Sequence, residues 1–170
     1  MEPIELRPIG VIRTPFTDIE GMPVQAAGAV GIAGRIELDP SLVEGLVDLE
    51  MFSHLTLLYQ FHRVAAVRLT VKSFLDDQFH GVFATRAPMR PNPIGLSTVR
   101  LVSISGSTLE IEDVDILDGT PLLDMKPYVP AFDDRPGARA QPLPPGARRP
   151  PLRARLPQLP RGAARAGPAG

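Results

Sequence analysis

Apolar residues in this chain come in short runs punctuated by Gly and Pro, and the runs fit a period of two more often than one of 3.6. Leu6–Ile12 and Val30–Leu38 are β-rich and bounded in this way. Leu55–Phe61 is a continuous apolar run that reads as a strand, and Val64–Val71 and His80–Thr85 read as two more. Ser97, Val99, Leu101 and Ser103 alternate with Thr98, Arg100, Val102 and Ile104, and the pattern resumes at Thr108–Ile111 after Gly106-Ser107. That predicts a hairpin with a two-residue turn. Leu122–Met125 closes the set. Only Leu42, Val43, Leu46 and Leu49 recur at helical spacing, which predicts one short helix over Ser41–Leu49, capped by Asp39 or Ser41, with Glu44 in its first turn. Many short strands with scarcely any helix predict an all-β domain, a barrel or a sandwich, and no internal repeat is present.

Composition adds a boundary. The chain has 170 residues, enough for one domain with a core and an appendage, and its hydrophobic content of 44% suits a soluble globule. It has no cysteine, which excludes a disulfide framework, a thiolate zinc site and a cysteine nucleophile. Met1–Gly10 lacks a basic segment followed by an apolar one, and no apolar stretch reaches the ~18 residues of a membrane span, so the expectation is cytoplasmic. The net charge of −1 hides a segregation. Residues 135–170 carry eight Arg and no acid, whereas ten bases against nineteen acids leave 1–134 at −9. The same segment holds nine of the twenty prolines and no aromatic residue, too little apolar surface to offset its ordering entropy. The predicted organisation is a folded domain over 1–134 and a disordered Arg/Pro/Ala/Gly-rich tail over 135–170. That tail is either an idle appendage or an arm for a polyanion.

Three segments carry candidate chemistry. In Gly81–Ser97, three prolines within six residues (Pro88, Pro91, Pro93) fix φ and remove donors, which predicts a rigid loop displaying Arg86 and Arg90. Two guanidinium groups there suit phosphate, carboxylate or a nucleobase edge; the plain alternative is a stiffened connection with solvated arginines. In Glu112–Tyr128, Asp115, Asp118, Asp124 and Lys126 crowd around the turn Asp118-Gly119-Thr120-Pro121, a mixture able to bind ribose hydroxyls and move protons, or else ordinary turn chemistry. The third is His62-Arg63 at the end of an apolar strand. His54, His62 and His80 form no metal-binding array, and Gly28, Gly31 and Gly34 do not make a dinucleotide fingerprint. A nucleotide-like cofactor would need another means of support.

Phe83-Ala84-Thr85-Arg86, Arg90-Pro91-Asn92-Pro93-Ile94-Gly95 and Asp118–Tyr128, with Ile9–Phe16 and Phe52-Ser53-His54-Leu55, closely resemble the TsaA-like (TrmO) family across roughly residues 4–139. The resemblance implies a small single β-barrel with one short helix, which works as a homodimer and binds S-adenosylmethionine without metal. It implies methylation of N6 of the threonylcarbamoyl-modified adenosine beside the tRNA anticodon. Cofactor contacts carry over to Pro23, Val24 and Gln25 (where the family's Pro-Arg-Gln has its Arg replaced by Val24), to His62, Arg63, Arg86 and Leu96, and to Glu112, Asp113, Val114 and Asp115. From about Gln141 the resemblance stops; a lineage-specific extension or a shifted reading frame in GC-rich DNA would account for that composition.

Methyl transfer from a sulfonium is an in-line displacement, so alignment is the main task. An N6 bearing a carbamoyl group needs a base for its proton and a cation near the carbamoyl oxygen. Asp124, Lys126 and Tyr128 are the candidates for that work, with Arg90 and Asn92 placed to touch RNA. Phosphate attraction would come from a strip of Arg7, Arg13, Arg35, Arg63, Arg68 and Lys72, from a groove shared in a dimer, or from the tail. The alternatives are a non-catalytic barrel that binds S-adenosylmethionine or RNA, and a methyltransferase for another small acceptor.

Overall fold

The computed structural model describes residues 2–23, 28–72 and 78–138. Among them the strands are β1 (Gly10–Arg13), β2 (Ala33–Leu38), β3 (His54–Gln60), β4 (Thr70–Lys72), β5 (Phe79–Gly81), β6 (Ile94–Ser105), β7 (Thr108–Glu112) and β8 (Thr120–Pro127). Six of them close into a barrel in the order β1-β2-β7-β6-β3-β8, while β4 and β5 form a separate two-stranded ribbon. All pairings are antiparallel, and the β1–β8 pair (Gly10 opposite Leu122, Ile12 opposite Thr120) is the seam that completes the circle. The predicted all-β barrel is the observed one.

Alternation along the strands fills the interior. Leu55, Leu57 and Tyr59 point inward from β3, whereas Thr56 and Leu58 lie on the outer face, so the run that reads as continuously apolar is buried only at every second residue. Ile12, Ile36, Val99, Leu109, Ile111 and Leu122 complete the core, and Val114 and Ile116 plug it from the segment after β7. Each such side chain removed from water contributes on the order of 1.5–3 kcal/mol. The predicted β6–β7 hairpin is present, with Ser105 opposite Thr108 and Gly106 at φ +58° in the turn.

Three expectations change. The helix predicted over Ser41–Leu49 is a 3₁₀ segment, Pro40–Leu46, followed by a 3₁₀ turn, Leu49–Met51. Asp39 caps the first, accepting from the Ser41 backbone N–H at 2.9 Å, but Asp48 sits in the left-handed region at φ 65° and interrupts the coil. Only Leu46 of the segment Pro40–Leu46 is buried, so there was no apolar stripe to hold an α-helix there. The strand predicted over Val64–Val71 shrinks to β4, because Val67 and Leu69 are exposed and find no sheet partner. The strand predicted over His80–Thr85 ends at Gly81 and turns into a 3₁₀ turn, Val82–Ala84, which Thr85 closes by donating its hydroxyl to the Val82 carbonyl at 2.9 Å. A one-turn helix, α1 (Pro130–Asp133), follows β8.

No helix among the described residues is long and apolar enough to cross a membrane. The expected tail falls outside the described residues from 139 onward.

Candidate functional site at one rim of the barrel

In an antiparallel barrel the ends of β1, β3 and β7 and the starts of β2, β6 and β8 share one rim, and the chemistry-bearing loops gather there. The segment after β7 is stitched across it. Val114 N–H donates to Ile32 O at 3.3 Å, and Thr14 donates its hydroxyl to Ile116 O at 2.7 Å. Asp118 accepts from Thr14 N–H at 3.0 Å while its own N–H donates to Phe16 O at 2.7 Å. Gly119, at φ +75°, takes the tight turn that lets its N–H reach Ile12 O at 3.0 Å. The Asp-Gly-Thr-Pro turn is therefore part of the β1–β8 seam.

Tyr59 stands inside this rim. It is 5% exposed, its ring lies over Gly95 and edge-on to Phe61 at 5.5 Å, and its hydroxyl is 3.0 Å from Ser97 Oγ. Burial pushes its phenol up to about 12, with the charge of Asp115 adding to the rise and the Ser97 hydrogen bond and Arg86 opposing it. A carboxylate and a guanidinium thus lie within electrostatic reach of one buried hydroxyl. Asp115 has its Oδ1 buried, Arg86 is exposed, and Leu96, between Gly95 and Ser97, stands half-exposed on the outer face.

His62 lies two residues beyond β3, with Nδ1 3.2 Å from Thr120 Oγ1 at the start of β8. Its pKa is lowered by partial burial and by Arg63, against the opposite pull of Asp118. Arg63 donates to the Thr17 carbonyl at 2.8 Å. At this rim the fold therefore gathers His62, Arg63, Arg86, Leu96 and Asp115.

Other predicted residues have different employment. Glu112 pairs with Arg100 directly across β6–β7. Asp113, left-handed at φ 67°, accepts from Gly31 N–H at 2.7 Å, and Val114 is core. Arg90 braces its own loop by donating to the carbonyls of Val82 and Thr85, both at 2.9 Å, with its guanidinium 5.6 Å from the centre of the Phe83 ring; Asn92 is exposed. Asp124 and Lys126 pair at 2.8 Å on the outer face of β8. Tyr128 belongs to the opposite rim, where its N–H reaches His54 O and its hydroxyl donates to Asp134 at 2.5 Å. Pro23 is buried, and Val24 and Gln25 lie outside the described residues. Within the expected basic strip, Arg13 and Arg35 converge on Glu37, at 2.9 and 3.0 Å. An open groove at the opposite rim, lined by Pro8, Ile9, Leu38 and Asp39 among others, contains none of the predicted residues.

Residues 11–134 match the family model described as the tRNA-methyltransferase O N-terminal domain. The chain belongs to the TrmO family. It is similar to a probable S-adenosyl-L-methionine-binding protein of Pyrococcus abyssi, 56% identical over 133 residues that cover 78% of this chain and 72% of the relative. It is also similar to the tRNA (adenine(37)-N6)-methyltransferase of Escherichia coli, 35% identical over 150 residues, 82% of this chain and 64% of that protein. A crystal structure of TrmO from Pseudomonas aeruginosa superposes with a TM-score of 0.70 at 41% identity, covering 81% of this chain and 61% of that one. The chain thus spans under two thirds of the length of the last two.

The TrmO-family barrel also depends on residues that sequence patterning passes over. Tyr59 reads as one more apolar position in Leu55–Phe61, and Ser97 as one member of an alternating strand. The available signal was the pairing of an aromatic on one strand with Gly95 on another, since glycine inside a strand marks a close approach. Thr120 reads as a turn residue and Thr14 only as part of the opening motif, and only the fold shows that their hydroxyls bind carbonyls of other segments or of the turn itself.

Proposed function

We propose that this domain is an S-adenosylmethionine-dependent methyltransferase acting on N6 of threonylcarbamoyladenosine at position 37 of tRNA, as a homodimer in the cytoplasm. The observation that carries the reading is the gathering of Arg86 and Asp115, opposite charges within electrostatic reach of the Tyr59 hydroxyl, on the rim that also presents His62. The donor set fits the cofactor: a guanidinium for an amino-acid carboxylate, a part-buried carboxylate for ribose hydroxyls or an ammonium, and the exposed apolar Leu96 for an adenine face.

When bound, the cofactor supplies an electrophilic methyl group on a sulfonium. Arg86, Asp115, His62 and Arg63 hold and orient the molecule, and the sewn-down 113–120 segment keeps that geometry fixed. Asp124 takes the N6 proton, and Lys126 balances charge that develops on the carbamoyl oxygen. Tyr128 lies near the start of β3, about 17 Å from Tyr59 at roughly 3.3 Å per residue, so the two groups do not meet within one protomer. A role for Tyr128 in the transfer would therefore need a second copy to supply it. Exposed Val67, Leu69, Phe79 and Phe83 on and beside the β4–β5 ribbon, with Ile94 and Leu96, offer apolar surface for that contact.

The test is incubation of the protein with methyl-labelled S-adenosylmethionine and tRNA carrying the modified nucleoside, followed by mass spectrometry of the nucleosides. Label in N6-methylated threonylcarbamoyladenosine, lost in Arg86→Ala together with calorimetric cofactor binding, supports the reading. Cofactor binding without transfer favours a non-catalytic binding barrel, which the separation of Tyr128 from the rim makes the second choice. Transfer to a different acceptor leaves the cofactor assignment standing and replaces the substrate.

A further inference from the structure

A hydroxyl carries one proton, and the fold dictates where that of Thr120 goes. Thr120 is 2% exposed at the first position of β8, opposite Ile12. It donates to Leu117 O at 2.7 Å, closing the Asp118-Gly119 turn from within. The same oxygen is 3.2 Å from His62 Nδ1. With its only proton committed to a carbonyl, Thr120 Oγ1 meets the ring as an acceptor, so the hydrogen must sit on Nδ1. A neutral imidazole protonated at one nitrogen is an acceptor at the other. The charged groups facing the ring are Arg63 on its own segment and Asp118 from the turn, and the net balance, led by burial, favours the neutral form.

We propose that Thr120 is a positioning residue that locks His62 in the Nδ1–H tautomer, so that Nε2 presents a lone pair to a hydrogen-bond donor, an N–H or O–H, of the molecule bound at this rim. The assignment rests on the reading of the rim as the cofactor site and narrows it: the group that faces His62 is a donor, not a carboxylate. Leu117 O, Thr120 Oγ1, His62 and the ligand form one directed chain of hydrogen bonds. Such a chain fixes ring orientation and tautomer together, as the outer partner of a metal-bound histidine does. Acid that protonates His62 removes the acceptor and should weaken the ligand.

The experiment uses the full chain labelled with ¹⁵N-histidine, and long-range ¹H–¹⁵N spectra near pH 8 report which ring nitrogen is protonated; a His62→Gln spectrum assigns the His62 signals among the three histidines. The expected result is a protonated Nδ1 and a pyridine-like Nε2 in the wild type and in Thr120→Ser. The shape-matched Thr120→Val should release the ring to a mixture of tautomers. Calorimetry with S-adenosylmethionine should show affinity about tenfold lower in Thr120→Val, near wild type in Thr120→Ser, and a fall with acid in the wild type. A wild-type ring protonated at Nε2 overturns the proposal, as does a Thr120→Val ring unchanged in tautomer. If Thr120→Val does not fold, the wild-type spectrum alone decides. The expected tautomers with no calorimetric signal from wild type would sustain the lock and remove the cofactor reading instead.

Discussion

The ring of Tyr59 covers the backbone of Gly95 so closely that a Cβ at residue 95 would lie 2.2 Å from the ring's Cε2. The two residues face each other across β3 and β6, and the ring cannot retreat without abandoning Ser97 or Phe61. Gly95→Ala should therefore cost about 2–3 kcal/mol of stability, measured by denaturant titration. The double variant with Tyr59→Leu should be less unstable than the two single effects combined, by about 0.5 kcal/mol or more, because the clash partner is gone.

Tyr59 also gives the barrel a limit in alkali. The folded chain keeps the phenolic proton up to about pH 12, whereas in the unfolded chain it leaves near 10.0, the ordinary value of a tyrosine. The unfolded state is thus the first to lose its proton as pH rises. Stability should fall by about 2 kcal/mol between pH 10 and 12 from this group. In Tyr59→Phe that part of the slope should vanish in pH-dependent melting curves, while the behaviour below pH 10 stays unaltered.

The four residues Glu112–Asp115 should separate cleanly by function. Glu112 is held by Arg100, an exposed pair whose loss costs at most about 1 kcal/mol. Glu112→Gln should leave cofactor affinity within about twofold of wild type. Asp115→Asn removes a charge at the rim beside Tyr59 and should weaken S-adenosylmethionine by about tenfold or more in calorimetry. Equal losses in both variants would mean that the whole stretch, and not Asp115, meets the ligand.

Residues 141–170 carry six of the chain's arginines and no acid, whereas Arg13 and Arg35 on the barrel are already matched by Glu37. Deleting 141–170 should weaken tRNA binding and flatten its salt dependence, read as the slope of log affinity against log salt. A slope that does not move would place the phosphate contacts on the barrel.

The strand plan was legible because Gly and Pro cut the chain where strands end, and because β6 and β7 alternate in plain view. The 3₁₀ segments were not, since the left-handed Asp48 that stops the coil has no mark in the apolar spacing. Val64–Val71 shows the limit of propensity: β-branched residues formed a strand only where Thr70–Lys72 found a partner. The rim set of His62, Arg86 and Asp115 was reachable through motif resemblance, but the employment of Arg90 was not. Two arginines four residues apart on one stiff loop look alike in sequence. Only the fold shows that one is exposed beside Tyr59 and the other is bonded to Val82 and Thr85.

The seam has a further consequence. Thr14, Phe16 and Ile12 come from near the amino end of the domain, and Ile116, Asp118 and Gly119 from near its far end, yet each rim turn hangs on the other. With this rim read as the ligand site, grip and ring closure would be a single cooperative event. A chain nicked or permuted between β1 and β2 would be a harsher insult to the site than a point change within it, and occupancy of the rim would act as a clasp on the whole barrel.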